Sequence, residues 1–488
     1  MRPLFLTLLL VACGPATRED NCVGDACSNS GPCDPGAMRD CYTGHMDTEG
    51  VGPCTGGTQM CLQSGEWGNC VGQILPQPEI CTDGIDNNCN GMVDENIDAD
   101  GDGYTTCGGD CCDSTECAEP AKVNPGAFDV AGNGVDDDCD GIVDNSVPLC
   151  DQGLMSNSSS ATDFAKAIDI CQTASASDMK WGLLDAQLTF PDGTGVPDPN
   201  SHSIRPKFGS QTMPQAGLSM AVLSSGVAAA KGDVNPAYQA FVSYSSTNES
   251  AFPADFVAAH AGTLPNAPGC PAPNGTTAND PVMLTLKVRV PSNAHSFSIK
   301  SNFYSAEFPE WTCSPYNDFF VILLDSTFTG NPGNPIDKNL AFYTDPNTMM
   351  NYPVGVNLAH GTGLFTQCVN GSTGCDGTAG SITSCVGTAN LTGTGFDDPA
   401  PGSCDGNSLN GGGTGWLTTT GNVVPGETIT VRIAIWDTSD HAYDSLALID
   451  AFTWSVDGAQ PGTVIEREVN DPSIPHNVSP VTGLAQPL

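Results

Sequence analysis

Basic residues are scarce. Lysine and arginine together number 15, against 56 aspartates and glutamates, which leaves a formal charge of −41 over 488 residues. A surface of that sign repels phosphate backbones, so nucleic acid is excluded as a partner. The 7 histidines are scattered, with no pair at metal-ligand spacing. His-Glu-x-x-His, Gly-x-Ser-x-Gly, a Walker loop and Cys-x-x-Cys are all missing, and with them the commonest signatures of zinc peptidases, serine hydrolases, nucleotide-driven enzymes and thiol oxidoreductases. Long apolar runs are missing too. The segment Leu4 to Val11 is far short of the roughly 20 residues that span a bilayer.

Cysteine, by contrast, is abundant. There are 23, sixteen of them at or before Cys150. That density belongs to an oxidising, extracytoplasmic compartment, where disulfides substitute for a hydrophobic core. Their connectivity stays open at this level. Apolar residues make up 39 %, enough for at least one core but lean for a single globule of this length, so two to four domains are expected.

The N-terminus has the order of an export signal: Met1 and Arg2, the apolar Leu4 to Val11, then Leu10-Val11-Ala12-Cys13-Gly14. This run resembles the lipobox of bacterial lipoproteins. The resemblance implies cleavage before Cys13, diacylglycerol on its thiol, and attachment to a membrane through that lipid. Gly14, rather than Asp, after the cysteine implies the outer membrane, with the protein facing the surface or the periplasm. An ordinary signal peptide that stops at a cysteine is the alternative.

Composition divides the remainder. After a 1–12 signal peptide, residues 13–36 are polar and read as a tether. Residues 37–80 hold Cys41, Cys54, Cys61 and Cys70 around turns and read as a small disulfide-held module with little regular structure. Residues 81–150 are acidic and repetitive. Residues 160–457 read as a β-domain, and 458–488 as a Pro-rich, flexible tail. Within the β-domain, residues 161–172 carry Phe164, Ile168 and Cys171 at helical spacing. Leu284 to Val290, Phe297 to Phe303 and Ile429 to Ile435 alternate apolar and polar, and Phe319 to Leu324 is a continuous apolar run expected in a central strand. Residues 327–420 read as loops tied by disulfides. The fold class is therefore mainly β: a C-terminal sandwich or jelly-roll-like domain, preceded by a disulfide-rich, loop-dominated calcium-repeat region.

The acidic segment repeats itself. Asp83-Gly-Ile-Asp-Asn-Asn-Cys89-Asn-Gly-Met-Val-Asp94 returns 50 residues later as Asn133-Gly-Val-Asp-Asp-Asp-Cys139-Asp-Gly-Ile-Val-Asp144. Calcium takes six to eight oxygens, mostly carboxylates, with a glycine where the loop turns sharply. Asp98, Asp100 and Asp102 supply alternate oxygens before Gly103, and Tyr104 adds its backbone carbonyl. Asp136, Asp138 and Asp140 do the same before Gly141, with Asp144 at position nine. Asp86, Asn88, Asn90 and Asp94 form a less charged version around Gly91. The twelfth positions hold Gly109, Val147 and Ile97 in place of the glutamate of an EF-hand, so further ligands must come from elsewhere, Asp110 and Asp113 for the middle loop. An acidic linker without an ion is the bland alternative, disfavoured by the mutual repulsion of so many carboxylates.

This stretch resembles the MopE-type metal-binding repeat of bacterial surface proteins. The family's elements stand here as Asp100 to Tyr104, Gly109 to Asp113, Asn124 to Ala127 and Asp136 to Asp144, with an inserted run at Ser114 to Cys117. The resemblance implies a metal site. The hard oxygen donors favour calcium, with another divalent cation as the alternative.

Gly217 to Gly226, Ser305 to Phe320 and Ile433 to Ser445 resemble blocks of the choice-of-anchor L domain of bacterial surface proteins, which implies an envelope location rather than a chemistry. Those blocks are rich in acid: Glu307, Asp318, Asp437, Asp440 and Asp444. They are candidates for a second metal site, with turn-capping as the competing reading. Three functions remain. The first is a calcium-stabilised, non-catalytic surface protein for adhesion or envelope interaction, its partner an unidentified surface protein or glycan. The second is a calcium-dependent glycan-binding module. The third is a secreted glycoside hydrolase using a carboxylate pair such as Glu307 and Glu310.

Overall fold

The computed structural model describes residues 33–465 except 78, 95, 97, 114–118, 146–147, 243 and 401–408. Cys13, the export segment, most of the tether, the Ser114 to Cys117 run and residues 466–488 lie outside the described residues. The chain forms two compact units, 1–121 and 122–488, so the boundary falls inside the acidic segment rather than after it.

The first unit is stapled. Strand β1 (Met38–Cys41) pairs antiparallel with β2 (Gly57–Met60). Disulfides join Cys33 to Cys61, Cys41 to Cys70, Cys54 to Cys89 and Cys81 to Cys107. The residues read as tether and as repeat thus contribute Cys33 and Cys89 to the module between them. Among the described residues its buried apolar cluster is Tyr42, Cys54 and Cys89, with Val51 and Leu75 against it, so covalent bonds stand in for a core. The Arg39 guanidinium covers the Trp67 ring at 4.1 Å.

In the second unit, helix α1 (Ala161–Lys166) precedes β3 (Gly182–Thr189), β4 (His202–Arg205), β5 (Met220–Ser224) and β6 (Glu249–Ser250). Helix α2 (Ala254–Ala259) leads to β7 (Ala278–Arg289), β8 (Ser296–Ser305) and β9 (Phe319–Asp325). Three short ladders follow: β10 (Phe342–Thr344) with β11 (Asn351–Pro353), β12 (Gly371–Thr373) with β13 (Gly380–Ile382), and β14 (Pro399–Ala400) with β15 (Leu409–Asn410). Strands β16 (Gly412–Asn422), β17 (Thr428–Thr438), β18 (Ser445–Ser455) and β19 (Gly462–Ile465) complete the fold.

Two antiparallel sheets result. One runs β19-β16-β8-β18-β5-β4, the other β3-β7-β17-β9 with β6 on β7. Their inner faces share one core. Leu223, Phe303 and Ile449, from β5, β8 and β18, belong to it on the first sheet. Leu284, Leu286, Phe320, Ile322 and Ile433, from β7, β9 and β17, belong to it on the second. The outer faces are covered as well. Met220, Val222, Tyr304 and Leu448 pack under Phe208, Phe241 and Phe396, while Phe319, Val321, Leu323 and Trp436 pack under Phe256 of α2.

That double burial corrects the position of the Phe319 to Leu324 run. It is the terminal strand of its sheet, and its continuous apolarity comes from burial on both faces. Three other boundaries move. The helix stops at Lys166, because Asp169 turns left-handed at φ 71° and Cys171 is bonded to Cys150. The stretch expected to be loops up to residue 420 contains most of β16. The segment expected to fray after Gly458 supplies β19, paired with β16. Within 327–420 the Cys368–Cys385 disulfide does tie the loops, and Cys270–Cys313 ties an earlier pair.

The second acidic repeat is fastened to this domain. Phe128 N–H donates to Asn293 Oδ1 at 3.0 Å while Asn293 Nδ2 donates back to Phe128 O at 2.9 Å. Ser292 N–H donates to Gly126 O at 2.9 Å, and its hydroxyl to Asn124 Oδ1 at 2.6 Å.

Candidate functional site

The acidic loops share one local design. The first acid of each turn folds back and accepts amides three to five residues ahead. Asp86 takes Asn90 and Gly91 N–H at 3.0 and 2.9 Å; Asp98 takes Gly101 and Gly103 at 2.6 and 2.9 Å; Asp136 takes Asp140 and Gly141 at 3.1 and 2.9 Å. Asn90 and Asp140 each accept the amide two residues on, from Met92 and Ile142 at 2.8 Å. The turn requires a left-handed glycine, and Gly91 and Gly141 have φ 93° and 91°. The two copies match even where glycine is absent: Cys89 and Cys139 lie at φ 59° and 56°.

In the middle loop, within the first unit, carboxylates converge. Asp98, Asp100 and Asp113 offer oxygens all within 4.8 Å of one another, and so do Asp100, Asp102 and Asp110. Asp100 belongs to both trios. Asp100 Oδ2 and Asp110 Oδ2 are buried and accept no hydrogen bond. Burial, followed by the charges of Asp102 and Asp100, pushes Asp110 up to about 6. Asp102 accepts the Tyr104 amide at 2.8 Å, and Asp113 accepts Ala99 and Thr106 N–H at 2.5 and 3.1 Å. Orphaned carboxylate oxygens in a trio are what a hard cation satisfies, so these residues fit a calcium-type ion.

In the second unit, Asp129, Asp136 and Asp138 form the third trio. Burial and the charges of Asp140 and Asp129 push Asp138 up to about 6. Asp129 had no place in the sequence reading. It accepts Asp137 N–H at 2.7 Å and Asn145 N–H at 2.8 Å, closing the loop on itself. The equivalent 50 residues earlier is Glu79, which accepts Asn87 and Asn88 N–H at 3.4 and 3.1 Å. The signal was available: the 50-residue offset extends back to these acids.

Other expected ligands are occupied differently. Asp144 spends its oxygens on the amides of Gly132, Asn133 and Gly134, and Asp94 on Gly84. Asp140 also accepts the Asn145 side chain. Among the described residues, Asp86, Asn88, Asn90 and Asp94 join no carboxylate trio, as the two asparagines would lead one to expect. Cys270, Cys313 and His360 lie close together, but the sulfurs are bonded to each other and offer no thiolate.

The acids of the β-domain sit inside it. Asp318, Asp437 and Asp444 are at most 1 % exposed and Glu307 is 2 % exposed. Asp437 continues the inward row of Val431, Ile433 and Ile435 along β17. Ser445 donates to Asp318 Oδ2 at 2.7 Å, and Asp318 N–H to Glu307 Oε2 at 3.5 Å. The two acid-rich blocks, far apart in sequence, are thus brought together. Burial drives all four carboxyls well above the usual range, and neighbouring acids push the same way: Asp437 on Glu307, Glu307 on Asp318, Asp318 on Asp437 and Asp437 on Asp444. Asp440 is less buried, though its charge still acts on Glu307, Asp318 and Asp444. It is half-buried and caps a turn through Ala442 N–H at 3.0 Å.

Residues 221–454 match the Choice-of-anchor L domain. Residues 76–95 and 118–145 match the MopE-type metal-binding motif, so the middle loop lies between its two matched segments. Nothing among the curated proteins or the solved structures matches the chain. A choice-of-anchor domain points to a cell-surface protein, and the motif to metal binding. Among the described residues no helix is long and apolar enough to cross a membrane. The choice-of-anchor L match covers β5 through β18 up to Trp454, and so contains all four buried acids. It begins after β3, β4 and α1, of which the two strands complete the sheets.

Proposed function

We propose that the chain is a lipid-anchored, calcium-loaded, non-catalytic protein of the bacterial cell surface, acting in adhesion or envelope interaction. The observation that carries the calcium reading is the double trio around Asp100, with buried oxygens on Asp100 and Asp110 that no protein donor satisfies. Calcium would be held there by Asp98, Asp100, Asp102, Asp110 and Asp113, and in the third loop by Asp129, Asp136 and Asp138. It would supply charge compensation and rigidity to segments with little core of their own.

Burial of Glu307 and Glu310, at 2 % and 9 % exposure, supports the non-catalytic reading, since a glycan could not reach them. A recess lined by Tyr238, Phe241 and Phe396 has a volume of about 40 Å³, far below the ~300 Å³ of ordinary ligand pockets, and is too small to hold a sugar.

Calorimetry on the full chain after chelation tests the calcium reading. Uptake at more than one site is expected, with clear weakening in the Asp100→Ala, Asp138→Ala double variant. No heat and no change in melting temperature would refute it. Fatty-acid labelling tests the anchor: label on the wild type and none on Cys13→Ala is expected, and an unlabelled wild type would remove the lipid from the proposal. A screen against cells and glycans, with and without calcium, tests adhesion.

A further inference from the structure

At one end of the sandwich the core changes character. The inward rows that carry leucine, isoleucine and phenylalanine along the strands each end there in a small polar or acidic residue. Beyond Ala221 and Leu223 comes Ser225; beyond Phe303, Ser305; before Ala447 and Ile449, Ser445. On the opposite sheet Asp280 precedes Val282, Asp318 precedes Phe320, and Asp437 follows Ile435. All six are at most 2 % exposed, as is Glu307, and Asp444 is wholly buried beside them. Antiparallel pairing places the relevant strand ends together: Ser445 is opposite Ser305, and Asp437 opposite Asn279.

Most of the hydroxyls in this layer are spent. Ser225 Oγ accepts Ser445 N–H at 2.9 Å, Ser305 Oγ accepts Glu307 N–H at 3.1 Å, and Ser445 Oγ donates to Asp318. Asp280 is also satisfied, by Ser246 and by His441 Nδ1 at 2.6 Å. Asp437 and Asp444 are not. Both oxygens of each are buried and meet no well-formed hydrogen bond, although Ser225 and Asp318 lie close beside Asp437. Gly226 makes room for one of them: a Cβ there would sit 2.0 Å from Asp444 Oδ2. Among the described residues no lysine or arginine pairs with Glu307, Asp318, Asp437 or Asp444.

Buried carboxylates are normally paired, bonded or metal-bound. Here pairing is absent and bonding is incomplete. We propose that Glu307, Asp318, Asp437 and Asp444 hold a divalent cation inside the sandwich, linking the end of β8 and the start of β18 on one sheet to β9 and β17 on the other. No three of these carboxylates offer oxygens within 4.8 Å of one another, the spacing that the acidic loops reach. A cation here would have to draw the carboxylates closer together, which calcium, accepting six to eight oxygens at 2.3–2.6 Å in flexible geometry, tolerates better than magnesium, which demands a tight octahedron. The site is independent of the acidic loops and does not rest on their reading.

The test uses the full chain carrying Asp100→Ala and Asp138→Ala to silence the loops. After chelation, calcium titration should still show uptake of a single ion, and excess calcium should raise the melting temperature by at least ~5 °C. Terbium should bind in its place and luminesce on tryptophan excitation, Trp436 being the neighbour of Asp437. Adding Asp437→Asn and Asp444→Asn should abolish the uptake and the luminescence. Gly226→Ala, which fills the space beside Asp444, should weaken calcium at least tenfold. If the loop-silenced chain shows neither uptake nor a thermal response, the proposal is overturned, whether or not the interior variants fold. Uptake that survives the two interior substitutions overturns it equally. Loss of the loop sites alone would overturn the loop reading and leave this one standing.

Discussion

Asp169 and Asp450, packed with Asp151, show what an acid costs when burial is not matched by a positive charge. Asp151 accepts Leu218 N–H and Ser219 Oγ at 2.6 and 2.9 Å, and Asp450 accepts the Gln215, Ala216 and Ala451 amides. Gly217 is needed between them: its φ is 57°, and a Cβ would lie 2.8 Å from both Asp151 Oδ2 and Asp169 Oδ1. Burial, then the charge of Asp151, pushes Asp169 up to about 6, and burial, opposed in part by the Gln215 amide, leaves Asp450 at about 7. The folded state therefore holds protons that the unfolded chain releases from about pH 4 upward. Stability from this cluster is fully present below that range and is lost as pH rises toward 7. A chelated sample should melt higher at pH 5 than at pH 8 on this account. Asp169→Asn should flatten that slope and raise the pH 8 melting temperature by roughly 2–4 °C, the equivalent of about 1 kcal/mol. Asparagine tolerates the left-handed backbone at this position, so the substitution isolates the charge. At the third loop, Asp129→Asn should weaken calcium by roughly tenfold, read by titration, because it removes a member of the carboxylate trio.

Among the elements, β16 is concealed by the sequence, as is its neighbour β19. Strand β16 begins Gly412-Gly-Thr-Gly-Trp416, which has the composition of a turn, yet it runs between β8 and β19. The glycines answer to aromatic neighbours: a Cβ at Gly412 would meet Phe308 at 2.6 Å, and one at Gly413 would meet Tyr304 at 2.7 Å. Gly412→Ala should therefore destabilise the β-domain by about 1–3 kcal/mol in a urea melt, although alanine is the better strand former by composition. By contrast β7, β8 and β17 were legible, because alternation records a strand that is apolar toward the core and less so outward. Strand β9 was legible as a strand but not as the end of its sheet, since loops and α2 bury its other face. The candidate sites divide along the same line. Calcium-type spacing marks Asp98, Asp100, Asp102, Asp136 and Asp138 locally. Asp129 and Glu79 emerge only from the fold-back of the loop, and Asp280 and Gly226 only from the meeting of six strand ends.

For the whole molecule, several of the 15 lysines and arginines are committed to carboxylates. Lys338 and Arg432 both bind Asp255 and Asp325, Lys231 binds Asp397 and Asp398, and Arg205 faces Asp233. With 56 acids against 15 bases the surface stays strongly anionic, and repulsion across it should be screened by salt. Raising NaCl from about 10 mM to 150 mM shortens the Debye length from ~30 to ~8 Å, so the melting temperature in chelator should rise. A fall would mean that the ion pairs outweigh the net charge. A different consequence follows from the seam of Asn124, Phe128, Ser292 and Asn293. A short acidic stretch, Glu79 to Asp94, recurs fifty residues later as Asp129 to Asp144, but the copies have parted company: the first folds with the disulfide-stapled unit, the second has become a foundation of the sandwich. Recombination that transplants the anchor-type domain between genes cannot respect the edges of its family match. It must carry the younger or older copy along as an heirloom, or deliver a sheet without its footing.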